Sequence, residues 1–147
     1  MNIMELENLA RSKAKEVVES GQKHENIALI DGPQGLQVVL LAIDDKDQFV
    51  AGLTELLRRV KAERYVMVSE AWATTSARPL SERIGVGQLP PDDREEILLI
   101  VSCERGKKVN LTTARIDNTP AGRRVGEFTR MEEGWAKGRM IVNEWEG

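Results

Sequence analysis

The hydrophobic pattern of this chain changes period several times, and each change marks a new element. Ile3, Leu6, Ala10, Ala14 and Val17 recur at helical spacing. Asn2 stands at the N-cap position of that helix, Glu5 occupies the capping-box position three residues on, and Gly21 supplies a stop. The stripe is narrow and rich in alanine, which suits packing against a sheet or a second subunit rather than the centre of a core. After a polar connector from Gln22 to Glu25, residues 26–31 (NIALID) read as a short strand. Asp31-Gly32-Pro33 and Gly35 then turn the chain, so residues 36–43 (LQVVLLAI) return as the second strand of a hairpin.

Asp44 and Asp45 offer N-caps for a second helix, in which Phe49, Leu53, Leu56, Leu57 and Val60 form a 3.6-residue stripe running to about Ala62. Gly52 inside it costs about 1 kcal/mol relative to alanine and suggests close packing. The strand RYVMV follows from Arg64. LQVVLLAI, helix and RYVMV therefore make a βαβ-type crossover, with the two strands parallel if they share a sheet. Their continuous apolar character suits strands covered on both faces. EEILLIVSCE and KKVNLTTARI pair around Arg105-Gly106-Lys107, and RRVGEFTRM follows the turn-rich segment 117–122. RMIVNEWEG adds a last short strand. The pattern predicts one α+β domain over 1–147: two helices packed on a mostly antiparallel sheet of five to six strands, with one crossover and a long loop at 73–93.

Composition narrows the class. Hydrophobic residues at 41% and charged residues at 31% are the balance of a soluble globular domain, and 147 residues suffice for a real core. No apolar run is long enough to span a bilayer, so no membrane partner is expected. The first residues lack the basic start and apolar core of a secretory signal, which gives a cytoplasmic expectation. Cys103 is the only cysteine, so no intrachain disulfide can form. The net charge of −3 conceals an asymmetry: residues 105–140 carry nine Lys/Arg against four Asp/Glu. Such a segment can attract nucleic acid, but without a nucleic-acid motif the edge-protecting role of strand cations is favoured.

Candidate chemistry concentrates between Arg64 and Cys103. Strand parity puts Tyr65, Met67 and Ser69 on one face and Val66, Val68, Glu70 and Trp72 on the other. A carboxylate continuing a row of valines is a candidate acid or base. The plainer reading is a strand-end glutamate paired with an arginine, for which Arg94 is the expected partner. Glu95 and Glu96 point to opposite faces, yet either can join Glu70 across strands to hold a hard cation. No metal is assigned, since the spacing matches no metal loop. Ser69 lacks an evident base. His24 and Cys103 are too few ligands for zinc, and Cys103 reads as a small buried hydrophobe. No Walker loop is present, so no cofactor and no catalytic residue is named.

Trp72, Trp135 and Trp145 fall near strand ends or glycine-rich connections, and Arg78, Arg83 and Arg139 lie in comparable settings. Tryptophan and arginine are common anchors of binding sites. The alternative is that each ring seals a core edge, a role better suited to Trp72 than to Trp145. Leu80, Ile84 and Val86 give the long loop enough apolar character to dock on its own domain, a second subunit or a partner.

VSEAW on a strand, then PPDDREE before a second apolar strand, with Gly138-Arg139 near the C-terminus, resembles a pattern among small uncharacterised bacterial and phage-type proteins. That resemblance implies a compact cytoplasmic protein in which Ser69, Glu70, Trp72, Arg94, Glu95 and Arg139 cluster. It brings no activity or cofactor. The preferred expectation is a non-enzymatic binding or assembly module acting on a protein partner or on itself. It would use the 73–93 loop and a rim of Glu70, Trp72, Arg78, Arg83, Arg94, Trp135 and Arg139. The alternatives are a metal-assisted hydrolase or nuclease using Glu70 with Glu95 or Glu96, and nucleic-acid binding through 105–140.

Overall fold

The computed structural model describes residues 1–41, 46–74, 94–130, 142 and 145, with backbone alone at 46, 47, 72–74 and 94. Helix α1 spans Ile3–Glu19 and starts where the sequence places it: the Asn2 side chain accepts the Glu5 N–H at 2.8 Å. Strand β1 (Ile27–Gly32) and strand β2 (Gly35–Leu40) form the expected hairpin, joined by the two residues Pro33 and Gln34. Gly35 has φ +100°, a region that only glycine enters freely. Helix α2 (Lys46–Arg59) leads to strand β3 (Arg64–Thr74), which pairs with strand β4 (Arg94–Glu104). Strand β5 (Asn110–Thr119) pairs with two short strands, β6 (Gly122–Val125) and β7 (Thr129–Arg130).

The strand order is β2-β1-β3-β4-β5-β6, with β7 also on β5, and every pairing is antiparallel. The α+β class holds, and among the described residues the sheet has seven strands where the pattern predicts five or six. RRVGEFTRM is two strands rather than one, because the chain leaves the ladder at Gly126, whose N–H donates to Arg115 O at 2.9 Å, and rejoins it at Thr129. The segment read as turn-rich is mostly strand: β5 runs on to Thr119, and only Pro120 and Ala121 make the turn. β2 and β3 are parallel to each other, as the crossover requires, but β1 lies between them and is antiparallel to both.

That insertion corrects one expectation. Among the described residues β2 is the terminal strand, and it is not covered on both faces: Leu36, Val38 and Leu40 are 40%, 64% and 72% exposed. β1 and β3 take the buried positions instead.

The sheet separates two apolar layers. On one face α1 lays Leu6, Ala10, Ala14 and Val18 over Leu29, Val66, Val68, Leu98, Ile100, Ala114 and Ile116. The stripe centres on Val18 rather than Val17, which is only half-buried. On the other face α2 packs Phe49, Leu53 and Leu57 against Ala28, Ile30, Tyr65, Met67, Val101 and Cys103. α2 ends with the Ala62 N–H donating to Leu57 O and the Lys61 N–H to Arg58 O, while Lys61 turns to φ 56°. The end of α2 meets the β1–β2 turn so closely that a Cβ on Gly32 would lie 3.0 Å from Val60 O. Gly52 does not serve the close packing expected of it inside the helix: a Cβ there would meet nothing within 4 Å.

Trp145 is core, not rim. It is 2% exposed, packs edge-on against Tyr65 with ring centroids 5.6 Å apart, and donates its indole N–H to Ala62 O at 2.9 Å. The strand expected near the C-terminus and the 75–93 part of the loop lie outside the described residues, and β3 itself extends to Thr74. No helix among the described residues is long and apolar enough to cross a membrane.

Candidate functional site

The register of β3 and β4 decides where Glu70 sits. Glu70 faces Leu98 across the ladder and Arg94 faces Thr74, four positions further along. Among the described side chains Glu70 pairs with a different arginine from the one expected. Glu70 lies under the C-terminal end of α1, where Arg123 of β6 donates to Glu70 Oε1 at 2.6 Å and to Glu96 Oε2 at 3.2 Å through one nitrogen. The other terminal nitrogen of Arg123 donates to the backbone carbonyl of Gln22 at 3.1 Å. The His24 N–H donates to Glu70 Oε2, and the Asn118 amide donates to Glu96 Oε1 at 3.3 Å. Five segments, from the α1–β1 connector to β6, thus converge on two carboxylates and one guanidinium.

The electrostatics follow from that convergence. The Glu70 side chain is 8% exposed, and such a buried charge is tolerated only with a partner. The Arg123 guanidinium is held above its ordinary range, first by its hydrogen bond to Glu70. Desolvation acts the other way, and the charges of Glu70 and Glu96 add to the rise. The site is a clasp in which each acid already has donors. Glu70 and Glu96 do converge, as the cation-binding reading requires, but the position between them is filled by Arg123. Glu95 is on the opposite face, where it pairs with Arg115 at 3.5 Å. Among the described residues no group of three or more His, Cys, Asp or Glu is arranged to hold a metal ion.

Ser69 and Glu95 share the face opposite Glu70, so the six-residue cluster implied by the resemblance does not form around Glu70 as a unit. The side chains of Trp72 and Arg94 fall outside the described residues, as do Arg78, Arg83, Trp135 and Arg139 entirely. Sequence reasoning missed three residues. His24 is 6% exposed rather than part of a solvated connector, with Nδ1 donating to its neighbour's carbonyl, Glu25 O, at 2.6 Å. Arg123 has a readable signal only in its parity with Val125, which shares its face.

The third is Glu7, 1% exposed beneath α1. It accepts from Thr112 Oγ1 at 3.1 Å and pairs with Arg130 at 3.2 Å and Arg11 at 3.4 Å, forming a second buried clasp. Its signal was present: Glu7 stands three and seven residues before Ala10 and Ala14, on the buried face.

The charge asymmetry resolves in the fold. Arg105 pairs with Glu63, Lys107 with Glu104, Arg115 with Glu95 and Asp117, Arg123 with Glu70 and Glu96, and Arg130 with Glu7. Among the described residues, these five cations answer acidic side chains, most of which precede them in the chain. Comparison with known protein families, with curated proteins and with solved structures finds no match.

Proposed function

We propose that this is a non-enzymatic, cytoplasmic binding or assembly module that presents residues 75–93 on a two-stranded arm. The observation that carries the reading is the register: β3 and β4 remain paired out to Thr74 and Arg94. The last β1 pair on β3 is at Val68, and the last β5 pair on β4 is at Ile97. Six residues of β3 therefore outrun β1. A long connection mounted on a ladder that outlasts its neighbours suits recognition, because the scaffold fixes where the segment starts and ends. The Glu70–Arg123–Glu96 clasp anchors the base of the arm.

Leu80, Ile84 and Val86 with Arg78 and Arg83 in the carried segment suit a protein partner with an apolar surface and acidic groups at its rim. The clasp supports this reading over acid–base or metal-assisted hydrolysis, since Arg123 engages both carboxylates. The ion pairs along 105–130 likewise support it over nucleic-acid binding.

The test replaces residues 75–93 by Asn-Gly, which the facing pair Thr74 and Arg94 allows as a tight hairpin. The variant should keep its circular dichroism and melting temperature while losing the proteins that the intact chain retains from a lysate of its source cell. Retention of the same proteins by the variant would sink the reading, as would retention of none by either form.

A further inference from the structure

We propose that β2 is a self-pairing edge: two copies of this chain join antiparallel through β2 about a two-fold axis at Val38, continuing one sheet into the next.

The first support is the direction of the backbone groups. The Leu41 N–H donates to Asn26 O at 2.8 Å, so position 41 faces inward to the line of β1. In an antiparallel ladder this alternates, which turns Gly35, Gln37 and Val39 toward β1 and leaves the N–H and C=O of Leu36, Val38 and Leu40 pointing off the sheet. Among the described residues no strand lies beyond β2.

The second support is self-complementarity. A two-fold axis at Val38 sets Val38 against its own copy and Leu36 against Leu40 of the other copy. Each of these is a position with outward backbone groups, so every facing pair exchanges both hydrogen bonds. The same residues put large apolar side chains on one face, 40% to 72% exposed, and the axis lays them side by side. A shift by one residue would set outward groups against inward ones or lose the end pair.

The third support is charge. No charged side chain occurs from Gly32 to Ile43, so self-pairing brings no like charges together. Edge strands are normally guarded by lysine, proline within the strand, or a bulge, and β2 has none of these. The opposite edge, β6, carries Arg123 and Arg124. A five-residue edge buries less than a standard interface, which places the association in the weak, reversible range, with Kd on the order of micromolar.

Sedimentation velocity across a series from about 1 to about 200 µM tests this directly, since the dimer fraction tracks Kd. The wild-type chain should shift reversibly from monomer to dimer. Val38→Lys should raise Kd at least about tenfold, by facing two cations across the axis. Val38→Pro should do the same while keeping the fold, because it removes only an outward N–H. In a Cys103→Ala background, Val38→Cys should form a disulfide-linked dimer under mild oxidation and Gln37→Cys should not, since only position 38 meets itself. A wild type that stays monomeric throughout overturns the proposal, and so does a dimer indifferent to both Val38 variants. If Val38→Lys fails to fold, the proline and cysteine variants decide. Replacing residues 75–93 should leave this dimer intact, so its failure and that of the arm are separable.

Discussion

Arg123 on β6 donates to Glu70 on β3 at 2.6 Å although β4 and β5 lie between their strands. Strands in a sheet are spaced about 4.8 Å apart, so three spacings in a flat sheet exceed what one side chain spans. The sheet must therefore curl toward α1 at this end. The Val125 N–H donating to Glu19 at 3.0 Å fastens the curled edge to the helix. One ion pair thus records the shape of the sheet.

Removing that cation should be costly. Arg123→Met leaves Glu70 buried with the His24 N–H alone among its partners, and loss of one member of a buried pair typically costs about 3 kcal/mol or more. Glu70→Gln should cost less, because it removes the buried charge while its one amide oxygen still accepts the His24 N–H, although its NH2 then faces Arg123. Urea midpoints of both single variants and the double variant give the coupling. Additive losses would mean that the pair contributes nothing beyond its parts.

Two glycines should respond to the same substitution with opposite signs. Gly52→Ala adds a methyl where nothing lies within 4 Å, so it should stabilise helix α2 by about 0.5–1 kcal/mol. Gly32→Ala places a Cβ 3.0 Å from the backbone oxygen of Val60, which cannot swing aside as a side chain would. That overpacking should cost about 1–3 kcal/mol. Thermal denaturation of the two variants side by side checks both signs.

These glycines also mark what the sequence could and could not reveal. The start of α1 was legible because Asn2 and Glu5 form a local cap, and the first hairpin because Gly35 must adopt positive φ. The edge position of β2 was not: LQVVLLAI has the composition of a buried central strand, and only the order β2-β1-β3 leaves one of its faces open. Glu70 was legible as an acid needing an arginine, but not in its place: it lies inside β3, which runs on to Thr74, and not at the strand end. Its partner was not legible, because Arg123 lies 53 residues away and reaches it only through the curl. Long-range curvature leaves no local periodicity to read.

Val142 and Trp145 should behave as part of the core. Trp145 fills the space beside Tyr65 and caps the end of α2 through Ala62 O, and its own carbonyl accepts from Arg58 Nε at 3.1 Å. Trp145→Ala should cost about 3–5 kcal/mol, the usual range for deleting a buried aromatic ring. Tyr65→Phe should cost nearer 1 kcal/mol, since it removes one hydroxyl that both donates to Val142 O and accepts the Val142 N–H. A Trp145→Ala loss below 1 kcal/mol would show that the Trp145 ring does not close the core.

Stability should fall on the alkaline side, and Cys103 sets where the fall begins. Its thiol is buried, and desolvation, with the nearby charge of Glu104, raises its pKa from 9.0 to about 11. Below pH 9 the thiol is protonated in both folded and unfolded chains and adds no pH dependence. Between pH 9 and about 11 the unfolded chain releases the proton and the folded chain keeps it, so unfolding becomes steadily easier. At 1.36 kcal/mol per pKa unit the loss across that window is about 3 kcal/mol. Tyr65, raised above its ordinary 10.0 first by burial, adds a second loss beginning about one pH unit higher. Urea titrations from pH 7 to 11 should therefore show a decline that Cys103→Ala makes shallower between pH 9 and 10, relative to its own stability at pH 7. At pH 8 the native thiol should resist a disulfide reagent that reacts at once with the unfolded chain. An equally steep decline in Cys103→Ala would remove the thiol as its cause.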